Sequence, residues 1–118
     1  MDNKVKIVYL KVNEEPKVME IENTLEAKQK LVGGLIEEVP FRRGISLICN
    51  EEGKILNLKP NLFFKDDFIA GDCFFIGDDG MSEDFKSLTN EQVKTVINNI
   101  PIYRYGYIQR INSIENEL

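Results

Sequence analysis

Histidine and tryptophan are absent from this chain of 118 residues. Without an imidazole, the commonest general base, most zinc sites and every serine or cysteine triad built on histidine are excluded. Cysteine is scarce. Cys49 and Cys73 stand singly inside apolar runs, which fits reduced, buried thiols and excludes a closely spaced metal or redox pair. Cys49 has no evident base beside it in sequence, so a core thiol is favoured over a nucleophile. No apolar run approaches the roughly 18 residues of a membrane span, and the charged start MDNKVK lacks the apolar core of a signal peptide. A cytoplasmic location is therefore expected. Lysine and arginine are missing from residues 66 to 84, which hold seven acids. The rest of the chain carries 13 acids against 15 bases, so the net charge of −5 resides in this one segment. Direct nucleic-acid binding would need a basic stripe and is not expected.

Motifs for bound groups are missing as well. The run DDGMSED from Asp78 lacks the alternating acids and terminal glutamate of a calcium loop. Gly33 and Gly34 precede a strand pattern, and no glycine-rich turn leads into Lys-Ser or Lys-Thr, so there is no phosphate-binding loop. No catalytic residue, metal ligand or cofactor site is assigned.

What is present reads as a small folded domain. With 42% hydrophobic residues, the chain can bury one core without staples. Lys6 to Val12 and Lys17 to Glu22 alternate like an opening hairpin. Asn23, with Glu26 three residues on, predicts an N-cap for a helix running to about Val32, its narrow apolar stripe made by Leu25, Lys28, Leu31 and Val32. Gly33 is placed to close that helix at positive φ, with Leu35 to Val39 leaving as a strand. Pro40 to Gly44 predict a turn. Ile45, Leu47 and Cys49 alternate with Ser46, Ile48 and Asn50 as a central strand. Asn50 to Gly53 form a turn cluster, and Ile55, Leu56 and Leu58 predict a return strand.

Residues 59 to 67 establish no period and contain Pro60, which predicts an irregular segment. Phe68 to Gly77 predict a strand covered on both faces. Thr89 and Gln92 form a capping box for a helix with Val93, Val96, Ile97 and Ile100 on one face, ended by Pro101. The expected fold class is α+β: a single domain with a mostly antiparallel sheet of five to seven strands and two main helices. The domain is expected over residues 1–101. Residues 102–118 form a C-terminal extension that reads as an edge strand and a short helix or as an interaction tail.

The stretches LVGG at 31–34, ICNEEGKILNLKPN at 48–61, IAGDCFFIGDDG at 69–80 and DFKSLTNEQ at 84–92 together resemble an uncharacterised domain family encoded on phages, plasmids and other mobile elements of bacteria. The resemblance covers roughly residues 4 to 95. It implies a small intracellular α+β domain, sometimes found near genes that counter host defences, and carries no activity. In that family the Pro-Asn pair is typically followed by arginine, whereas Leu62 follows Asn61 here.

Two groups of residues are candidates for an interface or pocket. Asn50, Pro60 and Asn61 bring rigid backbone and amide groups to one neighbourhood, although turn stabilisation accounts for them too. Tyr103, Arg104, Tyr105 and Tyr107 combine apolar area with polar tips, as interface residues do, and edge-strand packing explains them equally well. The expected role is non-enzymatic: an interaction domain with a protein partner or with itself. Its alternatives are a binder of a small, nucleotide-like ligand near Asn61 and an acidic mimic of DNA resting on residues 66 to 84.

Overall fold

The computed structural model describes residues 3–64 and 66–104. Five strands build one antiparallel sheet in the order β2-β1-β7-β4-β3: β1 (Lys4–Leu10), β2 (Lys17–Glu22), β3 (Ile36–Arg42), β4 (Ile45–Asn50) and β7 (Cys73–Gly77). A second antiparallel pair, β5 (Pro60–Phe64) with β6 (Asp67–Ala70), stands apart from it. Helices α1 (Leu25–Val32) and α2 (Asn90–Tyr103) complete the α+β domain. Among the described residues no helix is long and apolar enough to cross a membrane.

Two of the three inner strands, β4 and β7, are buried along their whole length because both faces of the sheet are covered. Side chains alternate across a strand, so each apolar run feeds two cores. Leu47 and Cys49 of β4, Cys73 and Phe75 of β7, and Val8 and Leu10 of β1 pack with Leu62 of β5 and with Val96 and Ile100 of α2. On the opposite face, Ile48, Phe74, Ile76, Ile7 and Val5 pack with Val32 of α1. This bears out the expected central strand, and of the 68–77 run expected to be covered on both faces, residues 73–77 are so covered. Each fully buried Ile, Leu or Phe here is worth roughly 1.5–3 kcal/mol.

Gly33 closes α1 as expected, at φ 79° in the left-handed region, with its N–H donating to Gln29 O at 2.8 Å. A Cβ at this position would meet nothing within 4 Å, so any penalty of substitution comes from the backbone alone. Gly33→Val is expected to cost about 1–2 kcal/mol, since a β-branched residue resists positive φ. Melting indistinguishable from the parent chain would refute this role.

Several local expectations are corrected. Thr24, not Asn23, caps α1 by accepting from the Ala27 N–H at 3.1 Å. The Asn23 amide is taken up elsewhere, donating to Phe85 O at 2.9 Å and accepting from Lys28 Nζ at 2.7 Å. Lys28 is consequently buried, with its ammonium 5.2 Å from the centre of the Phe85 ring. Burial lowers its pKa, and the charge of Asp84 opposes that shift. Leu25, placed by pattern on the apolar stripe, is 57% exposed.

Pro40 lies inside β3 and not in a turn. β3 is an edge of the sheet, and its register shifts between Pro40 and Arg42, the setting in which a strand tolerates a residue without an N–H. The expected return strand at 55–58 does not form. Leu56 N–H donates to Glu52 O and Leu58 N–H to Gly53 O, winding residues 51–58 into successive turns instead. The strand forms later, at β5, with Pro60 at its first position where the missing donor costs least. The apolar run 68–77 breaks at Gly71 and Asp72, so that β6 and β7 belong to different sheets.

The capping box of α2 is present, with Thr89 Oγ1 accepting from Gln92 N–H and Gln92 Oε1 from Thr89 N–H. Pro101 does not end this helix; it sits in the last turn, which continues to Tyr103. Near a helix end, a proline forfeits a single backbone bond and leaves the preceding turns intact.

Candidate functional site

The turn that follows β4 folds back against β6, and a cleft of about 520 Å³ lies between them and the β3–β4 end of the sheet. Gly53 permits this approach: a Cβ there would stand 2.6 Å from Ala70 O. Cys49 and Val39 from the sheet, with Phe68, Ile69 and Ala70 from β6, provide the apolar lining. Ile55, 81% exposed, stands on the turn side of the cleft, and Leu56 beside it is 54% exposed. Glu37, Glu51, Asp67 and Lys54 supply the charges.

Lys54 reaches from the turn to β6, where its ammonium pairs with Asp67 Oδ2 and lies 4.8 Å from the centre of the Phe68 ring. This ion pair, assisted by the Phe68 N–H donating to Asp67 Oδ1 at 2.8 Å, holds the Asp67 carboxyl below its ordinary range. Glu37 and Glu51 make no ion pair among the described residues. The cleft therefore joins an apolar lining to an excess of negative charge.

Cys49 is the one thiol at the cleft, and it is 3% exposed. Burial, reinforced by the charge of Glu37, pushes its pKa up to about 11, the opposite of what activates a nucleophilic cysteine. Cys73 is wholly buried and raised further for the same leading reason. Both thiols are expected to react slowly with a small thiol reagent at pH 7 and quickly in denaturant. For Cys49 the native rate should climb about tenfold per pH unit toward pH 11, because only thiolate reacts. Rapid labelling of Cys49 at pH 7 in the native protein would restore it as a nucleophile.

Of the candidate interface or pocket residues that the structure describes, only Asn50 lines the cleft, and its amide is already engaged. Nδ2 donates to Val32 O at 3.1 Å, tying β4 to the end of α1, and Oδ1 accepts from Glu52 N–H at 2.8 Å. Asn61 lies outside the cleft and is 2% exposed. Its Nδ2 donates to Leu10 O at 2.9 Å and to Gly71 O at 3.0 Å, clamping β1, β5 and the β6–β7 connection together. Its Oδ1 is buried with no hydrogen-bond partner among the described residues. Pro60 is half-buried at the start of β5.

Tyr103 packs edge-on against Phe41 with ring centres 6.1 Å apart, and Arg104 donates from Nη2 to Lys11 O at 3.0 Å. Both thereby tie the end of α2 to the domain, away from the cleft. Tyr105, Tyr107 and the expected edge strand and short helix lie outside the described residues. Glu37, Glu51, Lys54, Ile55 and Phe68 went unmarked as site residues in the sequence, and Asp67 was marked only as part of the acidic segment, because no spacing unites them; only the packing of β6 on the turn does.

The acidic segment is divided by the fold. Asp72 accepts from Val12 N–H at 2.9 Å and from the Tyr9 hydroxyl at 3.3 Å, and burial followed by this carboxylate pushes the Tyr9 pKa up to about 12. Asp79, beyond the other end of β7, pairs with Lys86 at 2.6 Å and accepts from the N–H groups of Met81 and Ser82. Among the described residues no group of three or more His, Cys, Asp or Glu side chains is placed to hold a metal ion.

Comparison with curated proteins and with solved structures found no match. Residues 5–100 match the family described as a domain of unknown function, DUF3846, and with most of its length inside that match the chain belongs to this family.

Proposed function

We propose that this chain is a non-enzymatic protein-interaction domain of mobile-element origin, working in the cytoplasm, with the cleft between the 51–55 turn and β6 as its docking surface. The observation that carries this reading is the cleft itself, an apolar recess with exposed Ile55 and Leu56 beside it. Exposed aliphatic side chains next to an apolar recess are what a partner's side chains can cover. The missing histidines and the raised pKa of Cys49 support a role without covalent or acid–base chemistry. The mobile-element origin rests on the resemblance carried by residues 31–34, 48–61, 69–80 and 84–92.

A small-molecule binder is the second reading, favoured by the volume, which falls in the range of roughly 300–1,000 Å³ usual for ligand pockets. The charge argues against a nucleotide-like ligand, since three carboxylates face one ammonium that is already paired. Mimicry of DNA is disfavoured because Asp72 and Asp79 are spent on internal contacts. The test is affinity capture from the natural host with mass spectrometry of proteins and small molecules, using the parent chain and Ile55→Asp. A protein captured by the parent and lost with Ile55→Asp supports the interaction reading. Retention by both moves the docking surface elsewhere, and a co-purifying small molecule lost with Ile55→Asp would replace this reading with the second.

A further inference from the structure

The cleft carries an occupant of its own. Lys54 belongs to the turn, yet its ammonium sits across the cleft on the Asp67 carboxylate and over the Phe68 ring. A carboxylate beside an aromatic face is a place suited to a cation, because the ring quadrupole and the anion attract the same charge. Lys54 is a modest tenant. Its side chain is 47% exposed and that of Asp67 62%, and exposed pairs of this kind are weakly held and screened by salt. Even with Lys54 in place, Glu37 and Glu51 line the same cleft without an ion pair among the described residues. The remaining charge calls for a further cation, and Val39, Ile69 and exposed Ile55 call for apolar groups next to it.

Resting on the interaction reading above, we propose that the Asp67–Phe68 subsite takes the guanidinium group of a partner protein's arginine, with Lys54 as the chain's own placeholder until that partner docks. Arginine fits better than lysine. Its planar fork can pair with a carboxylate through two bonds while stacking on a ring, and it is more weakly hydrated than an ammonium, so it displaces Lys54 at lower desolvation cost. The apolar residues flanking that arginine cover Val39, Ile55 and Ile69, which commits the partner to a segment of alternating apolar and cationic side chains. An anionic ligand finds no such complement.

The probes are two capped peptides, acetyl-Leu-Arg-Leu-amide and acetyl-Leu-Gln-Leu-amide, titrated at low salt into the full chain and followed by amide NMR shifts. The arginine peptide is expected to move the amides of Phe68, Ile69 and Cys49, to bind several-fold tighter than the glutamine peptide, and to weaken with added salt. Lys54→Gln, which vacates the subsite, should tighten its binding about threefold, the order of one exposed ion pair. Asp67→Asn should remove the preference for arginine while leaving a folded spectrum. Equal binding of the two peptides, or weaker arginine binding with Lys54→Gln, overturns the placeholder role. If both peptides bind equally and Ile55→Asp abolishes both, the cleft still docks a partner segment and only the cation subsite is wrong. If neither peptide moves a cleft amide in any variant, both readings fall.

Discussion

Replacing Asn61 with leucine is expected to destabilise the protein by about 3 kcal/mol, lowering the melting temperature by roughly 10–15 °C. The Nδ2 group of Asn61 serves two backbone carbonyls, Leu10 O and Gly71 O, from a position 2% exposed. Leucine keeps the branched outline of the side chain with the same number of heavy atoms, but its methyl groups are bulkier and it has no donor. Each buried carbonyl that loses this donor costs up to about 1–3 kcal/mol, and the loss is partly offset because the unpartnered Asn61 Oδ1 disappears as well. Asn61→Asp separates the clamp from simple packing. At pH 7 a carboxylate facing two carbonyls has no proton to donate and adds a buried charge, so the aspartate variant should be less stable than the leucine variant. The difference should shrink as pH falls and the carboxyl is protonated. A leucine variant within 1 kcal/mol of the parent chain in urea unfolding would show that the clamp is dispensable.

A chain ending at Pro101 is expected to be less stable than one ending at Arg104 by about 2–3 kcal/mol. The pattern of the sequence puts the domain boundary at residue 101, but α2 runs through it. The three further residues include Tyr103, in edge-on contact with Phe41, which itself lies 4.8 Å from Phe75 of the core. They also include Arg104, whose backbone bridges Leu62 and whose guanidinium donates to Lys11 O. An aromatic pair is worth about 0.5–1.5 kcal/mol beyond the area it buries, and the arginine bond contributes a similar amount. Equal urea midpoints for the two truncated chains would show that Tyr103 and Arg104 are ornaments of the surface. In that case they return to the list of interface residues.

Where local chemistry was sufficient, the sequence was readable. The capping box at Thr89 and Gln92 needs only its two residues and the helix that follows, and Gly33 needs only the absence of a Cβ. Strands β4 and β7 were legible because their apolar runs are short, rich in β-branched and aromatic residues and bounded by turn signals, too short for a helix. The misreadings have one cause in common, partners whose presence or absence the sequence pattern does not show. Asn23 is a good cap by type, yet Lys28 Nζ takes the Oδ1 that a cap would use while Phe85, 62 residues away, holds its Nδ2, and the cap falls to Thr24. Ile55, Leu56 and Leu58 form an apolar run with no strand paired to it, so local turns take the N–H groups of Leu56 and Leu58. Pro60 argued against a strand on local grounds, and β6 accepts it because the first position needs no donor.

By itself the sequence determined the class of the protein: an acidic α+β domain without histidine chemistry, with enough apolar residues to fold and two capped helices. Composition and period fix such properties because they depend on which residues are present and on neighbours a few positions away. The candidate site was decided by tertiary structure alone. Glu37, Cys49, Lys54 and Asp67 come from two strands, a turn and a hairpin that sequence keeps up to 30 residues apart, and they meet because Gly53 lets the turn lie against Ala70. The same packing turned Asn61 from a candidate pocket residue into a buried clamp, since the carbonyls it serves lie 51 and 10 residues away along the chain. A side chain's donor is written in its formula, but the acceptor it finds is set by the path of the backbone in space.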